Sequence, residues 1–75
     1  TYAQSRRLDE IPGEIDRLTA EIARLEGWLS DPDRVAADPA KAARAGEEIA
    51  KRQDAIASAE EEWLELEALR EAQTG

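Results

Sequence analysis

Leu8, Ile11, Ile15, Leu18, Ile22, Leu25 and Leu29 follow one another in alternating steps of three and four residues. A repeat averaging about 3.5 residues keeps one apolar stripe on one side of a helix over its whole length, which is the seam of a coiled coil. An ordinary surface helix needs a wider apolar face and drifts off that repeat. The stripe therefore demands a partner helix.

Composition narrows where that partner comes from. With 75 residues, 41% of them hydrophobic, and Tyr2, Trp28 and Trp63 as its only aromatic residues, the chain cannot enclose a broad globular core. Chains this short depend on staples or on very regular helix packing. Cysteine and histidine are both absent, which removes disulfides, thiol chemistry, histidine acid–base work and the usual zinc constellations. We expect no catalytic residue, no metal ligand and no cofactor in this chain. No stretch approaches the ~18 consecutive apolar residues of a membrane span. The opening TYAQSRRLDE has no apolar core of a secretion signal, so the expectation is a cytoplasmic piece without membrane contact. A chain that begins at Thr1 and lacks methionine also reads as a fragment of a longer protein.

Proline and glycine divide the sequence. Ile11-Pro12-Gly13 interrupts the stripe, since the residue before proline is pushed away from helical backbone and proline suits the first turn of a helix. The expectation is a short N-terminal helical segment over 1–11, a bend, and a first long helix over 12–30. Asp31-Pro32 and Asp38-Pro39 each favour a turn followed by a helix start, which makes 31–38 the tip loop, with room for a helical turn at 32–36. Asp38 as cap and Pro39 in the first helical position open a second long helix over 39–73. In it Ile49, Ile56 and Trp63 recur every seven residues, with Ala42, Ala45, Arg52, Ala59 and Leu66 between them. Small residues on one helix against large ones on the other, joined by a short loop, specify an all-α, two-helix antiparallel coiled-coil hairpin as a single domain.

Matching the two stripes pairs residues whose numbers sum to 74, among them Leu8 with Leu66, Ile11 with Trp63, Ile22 with Arg52 and Leu29 with Ala45. A slip of one heptad, to a sum of 67, leaves Trp63 opposite Gln4. In the preferred register Trp63 is core, and Arg52 lays its stem along Ile22 and sends its guanidinium to water or to a carboxylate such as Glu26. Trp28 lies one step off the seam, either over Val35 and Ala36 or open to a partner.

The net charge of −8 argues against generic nucleic-acid affinity. Its distribution is uneven. Residues 34–52 hold Arg34, Lys41, Arg44, Lys51 and Arg52 against Asp38, Glu47 and Glu48, whereas 53–75 hold Arg70 against seven acids. The hairpin is thus basic toward its tip and acidic at its base, and a basic tip suits phosphate contact. The run Glu60-Glu61-Glu62 reads as a solvated face, and no glycine-rich phosphate loop is present.

The ends of the chain resemble a known module, the C-terminal coiled-coil domain of Uup-type ABC-F ATPases. Thr1-Tyr2, Arg6, Leu8-Asp9 and Ile11-Pro12 look like that family's start. Leu29-x-Asp31-Pro32 and Asp38-Pro39 look like its tip, and Trp63-Leu64-Glu65-Leu66-Glu67-x-Leu69 looks like its closing tryptophan motif. Three positions depart from the pattern: Arg7 stands where an acid is usual, Glu62 where a basic residue is frequent, and Val35 where the tip has an aromatic. The resemblance implies a non-catalytic arm at the end of a cytoplasmic ATPase that uses ATP and magnesium elsewhere in its chain. It also implies contact with DNA or ribosomal RNA, the ribosome, and the protein's own ATPase domains. Arg6, Arg7, Arg17 and Arg24 along the first helix then join Arg34, Lys41, Arg44 and Lys51 as candidate nucleic-acid-binding residues. The competing expectation is a spacer or protein-docking coiled coil. In isolation the hairpin is expected as a monomer or weak dimer.

Overall fold

The computed structural model describes residues 1–74 and is helical almost throughout. The elements are α1 (Tyr2–Leu29), α2 (Pro32–Ala37) and α3 (Pro39–Thr74). The molecule measures 57 × 16 × 15 Å, and at about 1.5 Å per residue α3 alone accounts for nearly the whole length.

Each helix begins where a side chain can accept the unpaired N–H groups of a first turn. Thr1 and Gln4 form a reciprocal capping box at the start of α1. Asp31 accepts from the backbone N–H of Asp33 at 3.0 Å and of Arg34 at 3.4 Å. Asp38 accepts from the N–H of Lys41 at 3.0 Å, as its place before Pro39 led us to expect. The turn of helix expected at 32–36 is present and runs one residue further.

The helix boundary expected at Pro12 is absent. α1 continues unbroken through this proline, so the separate 1–11 segment and the helix start at 12 are both corrected. Pro12 forfeits the N–H that would donate to the carbonyl of Leu8, a loss that costs a free helix about 3 kcal/mol. Packing offsets it: Leu8 and Ile11 on the turn before Pro12 are buried, with Ile11 at 0% exposure. A side-chain bond from Arg7 to Glu14 also spans the proline on the surface.

The buried residues are Leu8, Ile11 and Leu18 of α1 with Ala45 and Ala59 of α3, large side chains on one helix and small ones on the other. Ile15, Ile22, Leu25 and Leu29 complete the stripe but are only half-buried, because a two-helix seam has no third wall. The same geometry corrects the placement of Trp63. At 37% exposure it is not core; its indole lines the seam's edge with Pro12 and Ile15.

Side-chain bonds fix how α1 and α3 lie. Arg7 bonds Glu62 and Glu21 bonds Arg52. The second bond is one step from the expected 22-to-52 match, whereas the slipped register would set Arg52 level with Ile15, roughly 9 Å away along the helix. The first bond lies between the two registers and does not separate them, since the Arg7 side chain is long enough to reach both Glu14 and Glu62.

Candidate nucleic-acid interface

Heptad spacing organises the polar flank of the seam. Arg7, Glu14, Glu21 and Trp28 recur every seven residues on α1, and Lys41, Glu48 and Glu62 keep the same period on α3. Both helix–helix ion pairs among the described residues lie on this edge. Arg7 donates from Nε and Nη2 to the two carboxylate oxygens of Glu62, at 2.8 Å each, and from Nη1 to Glu14 at 2.8 Å. Arg52 donates from Nε to Glu21 at 2.9 Å and from Nη1 to the Glu48 carboxylate at 2.6 Å. Its partners are thus Glu21 and Glu48, not the expected Glu26.

These bonds shift the groups that make them. The hydrogen bond from Arg7 holds Glu62 below the usual carboxylate range, and the bonds to Glu62 and then Glu14 raise Arg7 above its ordinary value. Arg52 likewise lowers both Glu21 and Glu48, and is itself raised by Glu48 first and Glu21 second. A fork-shaped guanidinium satisfying two carboxylates makes charge-assisted bonds of the stronger kind.

The eight candidate cations divide accordingly. Arg6 pairs with Glu10, Arg7 with Glu14 and Glu62, Arg17 with Glu21, Arg34 with Asp31, and Lys51 with Glu48. Arg24, Lys41 and Arg44 have no carboxylate within ion-pair distance among the described residues. Instead, the Lys41 ammonium sits 4.7 Å from the centroid of the Trp28 ring, a cation–π contact that joins α1 to α3 beside the tip. Arg24 precedes Trp28 by one turn and borders a small groove with Leu25 and Arg52, and Arg44 follows Lys41 by one turn, so the three cations without a carboxylate partner share the tip-side half of the rod. The sequence hinted at this grouping only through the heptad that carries Arg7, Glu14 and Glu21 on to Trp28. The structure does not gather Arg6, Arg7 and Arg17 into it.

The opposite edge carries Pro12 and Asp16 of α1 and Glu60 and Leu64 of α3. Together with Ile15 and Trp63 they line an open groove of about 440 Å³ with an apolar floor. Among the described residues no cluster of three or more potential metal ligands is gathered, and no helix is long and apolar enough to cross a membrane.

Paired long helices joined through a capped turn, with their side-chain chemistry confined to two edges, make this an elongated helical arm. The chain belongs to the ABC transporter C-terminal domain family, whose model matches residues 1–68. Among curated proteins and solved structures, none matches the chain.

Proposed function

We propose that the chain is an antiparallel coiled-coil hairpin of an ABC-F ATPase of the Uup type, and that it binds or positions nucleic acid, DNA or ribosomal RNA, through its tip-side cations. The observation that carries this reading is the separation of the cations. Five of the eight candidates are neutralised by carboxylates, whereas Arg24, Lys41 and Arg44 are not, and Lys41 lies over the Trp28 ring. Phosphate contact requires free guanidinium or ammonium groups, and an indole offers a base a stacking surface once Lys41 swings to a phosphate. The local excess of positive charge lets a chain of net charge −8 approach a polyanion by one end only.

In this reading the arm serves a cytoplasmic, ATP- and magnesium-dependent protein, with the ribosome and the protein's own ATPase domains as further partners. The rod keeps its tip about 57 Å from its base. Gel shifts on DNA and RNA across a salt series test the nucleic-acid part. Retardation at low salt is expected, and Arg24→Glu, Lys41→Glu and Arg44→Glu together abolish it; neutral replacements reduce the salt slope by about 2 to 3. Absence of binding at low salt, or binding unchanged in the charge-reversed chain, would leave the hairpin as a spacer or protein-docking element.

A further inference from the structure

The edge that faces away from the ion pairs has the chemistry of a second site. Its floor is Pro12, Ile15, Trp63 and Leu64, and Leu64 stands 63% exposed. Asp16 and Glu60 stand among the lining residues, and neither has a cationic partner among the described residues. The lining set contains no basic side chain. Leu64 and the partly exposed Trp63 indole thus form a small contiguous apolar floor beside two carboxylates.

The unpaired carboxylates decide between occupants. A polyanion is repelled by them. A second copy related by a two-fold axis would set Asp16 and Glu60 against the same acids of its partner, burying like charges. A segment with apolar side chains on one face and lysine or arginine at its flanks satisfies both the floor and the rim. The volume of about 440 Å³ is open along the rod and has room for a few side chains rather than for a whole domain. We propose that this groove docks a basic amphipathic helix of a protein partner, with apolar side chains between Pro12 and Trp63 and cations on Asp16 and Glu60. This site is separate from the tip cations, and its failure would leave the nucleic-acid reading intact.

Titrating the 75-residue chain with a synthetic leucine–lysine amphipathic helical peptide, read by amide and indole NMR signals, tests the proposal. Saturable shifts are expected at Gly13, Ile15, Asp16, Glu60, Leu64 and the Trp63 indole, with the signals of Arg24, Lys41 and Arg44 unmoved. Leu64→Glu should weaken binding about tenfold, and so should Asp16→Asn with Glu60→Gln. Both replacements are at the surface, and retained helical circular dichroism confirms that the chain still folds. Four results would overturn the proposal: no shifts with the peptide, equal shifts with poly-lysine, affinity unchanged in both variants, or groove signals that move with protein concentration alone as sedimentation reports a dimer.

Discussion

The two edges of the same seam are built on opposite plans. One is closed by guanidinium–carboxylate forks, Arg7 to Glu62 and Arg52 to Glu21 and Glu48, and ends in the Lys41–Trp28 contact. The other has no ion pair between helices among the described residues and leaves Trp63 and Leu64 partly in water. A two-helix rod has too few walls to bury everything its stripes bring together, so charge pairs shield one side of the seam. The other side stays open. The difference teaches that such an arm can be stabilised along one edge and kept available for contact along the other.

The largest effect should come from what both edges share. Ile11→Ala removes the one fully buried large side chain and should cost about 2 to 5 kcal/mol, read by thermal or urea denaturation. A smaller loss would mean that the seam is held by its edges instead of its core.

Next comes the contrast between edges. Arg7→Ala should lower the melting temperature, and the gap to the parent chain should narrow in about 1 M salt, where charges are screened beyond roughly 3 Å. Leu64→Ala, on the open edge, should stay within about 0.5 kcal/mol of the parent. Equal losses at the two positions would break the comparison.

The smallest effect is the pH dependence of the closed edge. Glu21, Glu48 and Glu62 have depressed pKa values in the folded chain, so the unfolded chain binds more protons as pH falls. The stability they lend is present above the ordinary glutamate value of about 4.3 and is lost as pH drops through the lower folded values. In Glu21→Gln with Glu48→Gln, the part of the melting curve's acid dependence that comes from Arg52 should disappear. An unchanged profile would remove that cluster from the account.

The apolar stripe, the alanines opposite it and the Asp-Pro signals made the helices and the turn legible from residues alone, because spacing and capping are local. Asp38 caps where its place before Pro39 says it should. Pro12 misled for the same reason: its local preference is for a helix start, and only the burial of Ile11 against α3 and the reach of Arg7 across the proline keep α1 whole. Trp63 has the right spacing for a core residue, yet spacing carries no information on whether a two-walled seam has room for an indole.

The candidate site was legible in composition and blurred in detail. The eight cations were visible as a set, and four of the five spent ones pair with carboxylates three or four positions away, a spacing the sequence shows, whereas the partners of Arg7 at Glu14 and Glu62 and the ring under Lys41 are not local. Arg7 is bound by Glu62, fifty-five positions distant, while Lys41 is left to Trp28. The sequence by itself determined that this chain is helical, that its stripe needs a partner helix, and where α2 and α3 start. Those are properties of a few neighbouring residues. The tertiary structure decided the continuity of α1, the pairing of Arg7 with Glu62 and of Lys41 with Trp28, and the edge left open, because each is settled by what two distant segments bring to the same few ångströms.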